Sequence, residues 1–208
     1  MKNKIILVDC DGAVADWQHG FDNWMTRHGF NIAIENHTSD YRISKQYGIT
    51  SDEAMIQVRA FNASKDIASI PALRDAKEYI AKLHNEHGYE FHCITSLGKT
   101  EFAHQWRQEN LVELFGPTAF TRLVCLDTGA DKDEVLAEYA DSKCFWIEDN
   151  PSNAFAGAKL GLTPILVAHG YNEQCKMFPR VHTWKEIYEI IVNENGQTTS
   201  NLPLLKVS

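Results

Sequence analysis

The sequence lacks the features that indicate a membrane-bound or exported protein. No apolar run approaches the roughly 18 residues of a membrane-spanning helix. Two lysines and only four apolar residues precede Asp9, which is too little for a signal peptide. We therefore expect no membrane segment and no cleaved leader.

Basic residues are also scarce. The chain has 20 lysines and arginines against 28 aspartates and glutamates, and its formal net charge is −8 at pH 7. No block of five or more basic residues occurs. This balance disfavours binding to duplex nucleic acid or to an anionic membrane, but it leaves room for a small anionic ligand held by a local cation.

The cysteines show no pattern that indicates a disulfide framework or a C-x-x-C metal site. They are odd in number and widely spaced. The five are Cys10, Cys93, Cys125, Cys144 and Cys175. Because most of them lie in or beside apolar runs, we expect buried thiols in a reducing compartment, and hence a cytoplasmic protein.

Two aspartates follow a short apolar run near the N-terminus. Ile5–Val8 is rich in β-branched residues and is soon followed by Gly12, which is typical of a buried strand. Asp9 and Asp11 then lie at its carboxyl end, on one face, where open α/β sheets bind ligands. Paired carboxylates repel unless a cation or shared proton relieves them, which indicates a Mg²⁺ site or a catalytic dyad. An ordinary turn explains the same residues equally well.

Strand-like and helix-like segments alternate along most of the chain. Besides the first run, the predicted strands are Glu90–Ile94, Arg122–Leu126, Cys144–Ile147 and Pro164–Val167. The predicted helices between them are Ala72–His87, Thr100–Phe115, Lys132–Tyr139 and Asn153–Leu160. This alternation predicts an α/β fold, with a Rossmann-like parallel sheet covered by helices on both faces.

One long segment interrupts the alternation. Residues 16–71 show helical periodicity, with one helix over Asp16–His28 and another over Ser51–Ser64 beginning at an N-cap. We expect a small helical cap inserted after the first strand, over a core formed by residues 1–15 and 72–192. The polar residues 193–208 predict a flexible C-terminal tail.

Three further polar groups follow predicted strands. They are Thr95-Ser96, Lys132 and Glu148-Asp149. Singly, each is more simply explained as a helix cap, a solvated lysine or a surface turn. In chain order, however, Asp-x-Asp, Thr/Ser, Lys and Glu-Asp resemble the four motifs of the haloacid dehalogenase superfamily of phosphatases, across almost the whole chain.

The resemblance implies a role for each motif residue. Asp9 is expected to attack phosphorus and form an aspartyl-phosphate, while Asp11 protonates the leaving oxygen and later activates water. Thr95, assisted by Ser96, is expected to hold the phosphoryl oxygens, and Lys132 to neutralise the charge that develops. The expected Mg²⁺ ligands are Asp9, the main-chain carbonyl of Asp11 and Asp149, with Glu148 orienting the metal-bound waters.

A narrower resemblance concerns the substrate. Residues 9–17, Asp-Cys-Asp-Gly-Ala-Val-Ala-Asp-Trp, are similar to the D-x-D-G-V-L-A-D-F run of the 5′(3′)-deoxyribonucleotidases. Ile70–Ala76 is similar to their P-x-x-G-A segment with the glycine lost, and Lys99 resembles a lysine of their second motif. These imply that Lys99 binds substrate. Of the cap aromatics, most are expected to form the cap's own core, and Phe21 is the one expected to stack on a base.

The expected function is a Mg²⁺-dependent phosphomonoester hydrolase acting on deoxyribonucleoside monophosphates. A phosphatase for another small metabolite or for a nucleic-acid 3′ end has the same motifs, because the cap decides the substrate. A catalytically silent ligand-binding module is the alternative of a different class. The expected partner is a small phosphorylated molecule, and the expected assembly is a monomer or homodimer.

Overall fold

A six-stranded parallel sheet forms the centre of the molecule in the computed structural model, which describes residues 4–196. The strands are β1 (Ile5–Val8), β2 (Glu90–Thr95), β3 (Phe120–Cys125), β4 (Phe145–Glu148), β5 (Thr163–Val167) and β6 (Arg180–Val181). Their spatial order is β3-β2-β1-β4-β5-β6. The predicted α/β class is confirmed. β6 went unpredicted because two residues show no periodicity.

The helices of the described residues pack around this sheet or belong to the stretch of chain that connects β1 to β2. They are α1 (Trp17–Arg27), α2 (Ile43–Tyr47), α3 (Ser51–Asn62), α4 (Ala76–His87), α5 (Glu101–Phe115), α6 (Asp133–Ala137), α7 (Pro151–Lys159) and α8 (Trp184–Gly196). Short 3₁₀ turns occupy His37–Ser39, Lys65–Ser69 and Gly170–Asn172. None of these helices is long and apolar enough to cross a membrane.

β1 lies at the centre because its side chains suit complete burial. Ile6, Leu7 and Val8 have no solvent exposure, and β1 pairs with β2 on one side and with β4 on the other. The chain builds β2 and β3 outward from β1 and then returns to place β4 against β1's opposite edge. The strand order therefore reverses beside β1, and such reversals open a crevice at the carboxyl ends of the strands.

The segment between β1 and α4 is helical, as its periodicity predicts. Its interior is aromatic: Phe21 stacks on Trp17 and on Trp24 with ring centroids 4.6 and 6.2 Å apart. Helix α3 begins at Ser51, as predicted, and ends at Asn62, two residues before the predicted end; its N-cap is Thr50, which forms a capping box with Glu53. The division of the chain into core and cap stays a prediction.

The two connections to this helical segment pair with each other. Asp16 N donates to the Pro71 carbonyl at 2.9 Å, and Leu73 N donates to the Val14 carbonyl at 2.8 Å. This pairing uses residues that were predicted to begin a helix at Ala72, so α4 starts later, at Ala76. The entry to and the exit from the helical segment are thereby held side by side next to Asp11.

Arg74 occupies the position at which the similar nucleotidase segment carries glycine. Its φ is +48°, in the left-handed region that costs a non-glycine residue roughly 1–2 kcal/mol. Its guanidinium donates to the carbonyls of Ala168 at 2.6 Å and His182 at 2.8 Å. These bonds offset the backbone cost and join the exit connection to the end of the sheet.

The C-terminal prediction is partly wrong. Helix α8 continues to Gly196, so residues 193–196 are helical rather than a flexible tail. The remainder of the predicted tail, residues 197–208, lies outside the described residues, as do residues 1–3.

The contact of α7 with β4 generates a stability prediction. A Cβ on Gly157 would lie 2.6 Å from Cδ1 of Trp146, and the Trp146 side chain is completely buried. We expect Gly157→Ala to lower the free energy of unfolding, because overpacking costs about 1–3 kcal/mol and exceeds the roughly 1 kcal/mol gained in helix propensity. Denaturant unfolding measures the change. Ala158→Ser on the same helix is the control, and a stabilised Gly157→Ala variant would contradict the tight contact.

Candidate active site

Polar side chains from four separate strand ends meet at one cavity. It has a volume of about 850 Å³ and lies between the carboxyl edge of the sheet and the helical segment. Asp9 follows β1, Thr95 ends β2, and Asp149 follows β4. Lys132 precedes α6, on the chain that returns from β3. These four and Asp11 all line the cavity, so parallel pairing brings together residues that are far apart in sequence.

Lys132 is the cation at the centre of this group. Its Nζ lies 2.8 Å from Asp9 Oδ2 and 2.8 Å from Glu148 Oε1, while its side chain is only 2% exposed. Burial alone would lower the pKa of Lys132, but the two carboxylates outweigh it and raise that pKa above its usual value. The lysine therefore remains charged and compensates two buried anions.

Glu148 lies behind the cavity wall rather than in it. Its Oε2 accepts hydrogen bonds from the main-chain N–H groups of Asp149 and Asn150, both at 2.6 Å, and its Oε1 accepts one from Asn153 at 2.7 Å. Burial opposes ionisation of Glu148, but Lys132 and these donors lower its pKa below the usual value. An ionised Glu148 thus fixes the loop that carries Asp149.

The other carboxylates carry more negative charge than the protein groups balance. Burial, together with Glu148 and Asp11, raises the pKa of Asp9 to about 7 despite Lys132. Burial, together with Glu148 and Asp9, likewise raises the pKa of Asp149. Oxygens of Asp9, Glu148 and Asp149 lie within 4.8 Å of one another. A set of buried carboxylate oxygens with uncompensated charge fits a hard divalent cation such as Mg²⁺.

Gly12 allows the loop after β1 to approach this cluster. Its φ is +78°, and a Cβ there would lie 2.6 Å from Asp149 Oδ2. The His169 ring Nε2 hydrogen-bonds to the Gly12 carbonyl at 2.7 Å, and the Tyr171 hydroxyl donates to Asp149 Oδ2. Glycine is required here both by the backbone conformation and by the space.

The end of β2 offers polar groups to an oxyanion. The Thr95 hydroxyl is buried at the cavity and has no close hydrogen-bond partner among residues 4–196, although it lies near enough to Asp11 to lower the pKa of that carboxyl. Ser96 also lines the cavity, but its hydroxyl donates to the Ala130 carbonyl at 2.7 Å and so holds the loop before Lys132. An unpaired buried hydroxyl is costly and is typical of a site that receives a ligand oxygen.

Asp11 has a partner that the sequence analysis missed. Arg107 on α5 is completely buried, and it forms an ion pair with Asp11 Oδ1. An isolated arginine in a helix is typical of a solvated side chain, so the sequence does not predict this contact. The available signal was spacing: Arg107 and Asn110 follow Ala103 at i+4 and i+7, on the same buried face of α5.

The prediction for Phe21 needs correction. Phe21 is completely buried and packs edge-on against Tyr47 and Phe61, with ring centroids 5.9 and 5.4 Å apart. It lies inside the helical segment, so neither face of its ring is open to a ligand. Among the described residues that line the cavity, the aromatic ones are Trp17, His19, Tyr41, His169 and Tyr171.

The prediction for Lys99 also needs correction. The Lys99 side chain is 63% exposed, and its Nζ lies 3.6 Å from Asp127 Oδ2. It lies outside the cavity lining, because the turn after β2 directs it toward the surface. Lys99 stands one residue earlier than the lysine of the similar nucleotidase motif. A shift of one residue in a turn changes where a side chain points.

The helical segment supplies a polar wall opposite the carboxylates. Gln18 Nε2 donates to Asp22 Oδ1 at 2.7 Å and to Gln46 Oε1 at 3.0 Å, and all three side chains line the cavity. Asn62 joins the two walls: its Oδ1 accepts from Trp17 Nε1 at 3.0 Å, and its Nδ2 donates to the Leu97 carbonyl at 2.9 Å. The cavity therefore has an anionic end and an opposite wall that includes amides, aromatic rings and the hydrogen-bonded carboxylate of Asp22.

Comparison with known proteins finds a matching family model. The model of a family described as 5′ nucleotidase, deoxy (pyrimidine), cytosolic type C matches residues 3–197. A comparison with curated proteins finds no match.

Solved structures share the fold. A haloacid dehalogenase-like hydrolase from Streptococcus pneumoniae is 15% identical, with a TM-score of 0.65 over 91% of this chain and 99% of its own. A protein described as a predicted phosphatase from Clostridium acetobutylicum is 15% identical, with a TM-score of 0.63 over 93% of this chain and 100% of its own.

The buried lysine generates a stability prediction. Lys132→Met should lower the free energy of unfolding by roughly 3–5 kcal/mol at neutral pH in the absence of divalent cations, because two buried carboxylates lose their counter-charge. Chemical denaturation measures the loss. Lys99→Met is the matched control, since its exposed ion pair is expected to contribute within about 0.5 kcal/mol. Equal losses in the two variants would contradict the central role of Lys132.

Proposed function

Because this chain belongs to the 5′ nucleotidase, deoxy (pyrimidine), cytosolic type C family and is a phosphatase of the haloacid dehalogenase superfamily, we propose that it hydrolyses deoxyribonucleoside monophosphates with Mg²⁺. The observation that carries this proposal is the convergence of Asp9, Asp11, Thr95, Lys132 and Asp149 on one cavity. The wall of this cavity that the helical segment forms leaves space for an organic group larger than phosphate.

Asp9 is the proposed nucleophile. Its carboxylate lies in the cavity wall, held by Lys132 at Oδ2 and by the Cys10 main-chain N–H at Oδ1, 2.6 Å away. These donors fix its orientation before substrate arrives, which lowers the entropic cost of attack. An Asp9 oxygen forms the new bond to phosphorus while the bond to the leaving oxygen breaks. Water then hydrolyses the aspartyl-phosphate and releases phosphate.

Asp11 is the proposed acid and base. It lines the same cavity, two residues from the nucleophile, and burial raises its pKa while Arg107 opposes that shift. In the first step its proton passes to the leaving alcohol oxygen. In the second step the carboxylate accepts a proton from the attacking water.

The proposed metal ligands are Asp9, Asp149 and the main-chain carbonyl of Asp11. When bound, Mg²⁺ supplies positive charge that binds the phosphoryl group and stabilises its transfer. Glu148 holds the Asp149 loop through two main-chain N–H groups. Tyr171 donates to Asp149 Oδ2 and limits the rotation of this carboxylate.

Thr95 and Lys132 are proposed to bind the phosphoryl oxygens. The unpaired Thr95 hydroxyl is available to donate a hydrogen bond to one of them. Lys132 is already charged and buried, so no solvent needs to reorganise as negative charge develops on the phosphoryl group. Ser96 contributes by fixing the loop that leads to Lys132.

A nucleoside suits the rest of the cavity. The cavity has a volume of about 850 Å³, which falls in the range of sites for drug-sized ligands. Trp17, Tyr41 and Tyr171 line it, and stacking of one base on such a ring is worth about 1–3 kcal/mol. The family description, which refers to cytosolic deoxy-pyrimidine nucleotidases, supports both this substrate class and a cytoplasmic location.

A panel of phosphate esters tests the proposed substrate. With Mg²⁺, the wild-type protein should show a higher kcat/KM for deoxyribonucleoside monophosphates than for sugar phosphates, because only nucleotides supply a base to the aromatic wall. Asp9→Asn should lose activity on every ester by roughly 10³-fold or more. Lys99→Met, outside the cavity, is the control that should retain it. Equal rates on sugar phosphates and nucleotides would exclude the nucleotidase proposal while leaving the phosphatase intact.

Thermal unfolding with and without Mg²⁺ tests the metal site. At about 100 times the dissociation constant, Mg²⁺ should stabilise the wild-type protein by about 2.7 kcal/mol. Asp149→Asn should lose most of this gain, because a carboxylate ligand is replaced by a neutral amide. Asp127→Asn changes a carboxylate that is 68% exposed and serves as the control. An unchanged Mg²⁺ effect in Asp149→Asn would place the cation elsewhere.

A further inference from the structure

The buried ion pair between α5 and the loop after β1 has no part in the mechanism above. Arg107 has no solvent exposure, whereas Asp11 is 22% exposed. Arg107 lies outside the cavity lining, so it does not reach a substrate directly. A completely buried arginine is expensive, and it persists only where the geometry of its partners is well defined.

The other nitrogen atoms of Arg107 explain how its guanidinium is held. Nη1 donates to Asn110 Oδ1 at 3.1 Å. The Asn110 amide in turn donates to the carbonyls of Ile70 at 2.8 Å and Ala68 at 3.3 Å. Nε has no hydrogen-bond partner among residues 4–196. The guanidinium is therefore fixed on one side by the exit connection of the helical segment, and its Nη2 is directed at Asp11.

We propose that Arg107 is a positioning residue that orients the carboxyl group of Asp11 for proton transfer to the leaving group. The inference rests on the proposed acid role of Asp11. Arg107 binds Oδ1 and so fixes the rotation of the carboxyl group, which leaves Oδ2 as the oxygen that faces the reaction. In the first step the Oδ2 proton passes to the leaving oxygen as its bond to phosphorus breaks. In the second step Oδ2 accepts a proton from water.

The network also explains why the arginine comes from α5. This helix packs against the 3₁₀ turn over Lys65–Ser69, at the exit from the helical segment. The Asn110 amide fixes the main chain at that exit, and three residues away Arg107 fixes Asp11. Asp11 is thus held at a fixed position relative to the wall proposed to contact the organic group of the substrate. The leaving oxygen must lie beside this wall, because it joins the organic group to phosphorus.

Leaving-group dependence distinguishes positioning from a general structural role. A nucleotide has a poor alkoxide leaving group that needs a proton, whereas 4-nitrophenyl phosphate has a good one that does not. Arg107→Met should lower kcat/KM on a deoxyribonucleoside monophosphate by roughly 10²-fold or more, the scale of acid catalysis, because kcat/KM reports only the step that releases the alcohol and not the hydrolysis of the aspartyl-phosphate common to both esters. On 4-nitrophenyl phosphate the loss should be less than about tenfold. Equal losses on both esters would overturn the inference.

A double-mutant cycle shows whether Arg107 acts through Asp11. Asp11→Asn alone should show the same selective loss on the nucleotide. Adding Arg107→Met to Asp11→Asn should lower kcat/KM no further than about twofold, since the group being oriented no longer carries an acidic proton. Multiplying losses in the double variant would overturn the inference.

Three variants, one of them the double variant above, serve as controls for misfolding and for changes outside the site. The double variant removes both members of the buried pair, and Arg107→Lys keeps the charge but loses the planar fork. If Arg107→Met does not fold, Arg107→Lys replaces it in the same cycle with the same expected pattern. Arg122→Met removes an arginine of β3 that is paired with Glu138, and it should leave both rates unchanged. If the wild-type protein hydrolyses neither ester with Mg²⁺, the proposed function fails and the inference falls with it. If it hydrolyses both and only the Arg107 pattern is absent, the inference alone fails.

Discussion

The proposed active site depends on the balance of charge between one buried lysine and the carboxylates around it. Asp9, Glu148 and Asp149 are all less than a tenth exposed, and their oxygens lie close together. Lys132 contacts two of them at 2.8 Å, and main-chain N–H groups complete the shell of Glu148. The charge left over lies on Asp9 and Asp149. An excess of negative charge in a buried cluster is unfavourable for the empty protein, and it makes the binding of a divalent cation favourable.

The parallel sheet makes this charge cluster possible. Asp9 and Asp149 follow neighbouring strands, since β1 pairs with β4, although 139 residues separate them in the chain. The reversal of strand order beside β1 opens the crevice into which both carboxylates project. Gly12 allows the loop after β1 to lie close to Asp149. A Cβ at this position would clash with the Asp149 carboxylate and would disfavour the backbone conformation.

The helical segment forms one wall of the cavity and is tied at three places to the rest of the proposed active site. Asn62 joins it to the chain after β2, the two connections pair with each other beside Asp11, and Asn110 fixes the exit connection to Arg107. Each tie is a buried or partly buried hydrogen bond, which is costly to leave unmade. The wall that the helical segment contributes to the cavity is therefore held in a fixed position relative to the polar side chains at the strand ends.

The sequence by itself determined five of the six strands, most of the helices and the motif residues that line the cavity. Apolar runs of four to six residues have a period distinct from helical stripes, and the order of polar groups at their ends matched a known phosphatase pattern. The sequence misplaced Phe21, whose helical spacing fits a core position as well as a binding one. It also misplaced Lys99, because spacing in a turn does not fix direction. Only the tertiary structure decided that Arg107 lies against Asp11 and that Trp17 and Tyr41 face the cavity. These contacts join residues distant in the chain, and they depend on which face of each helix is buried.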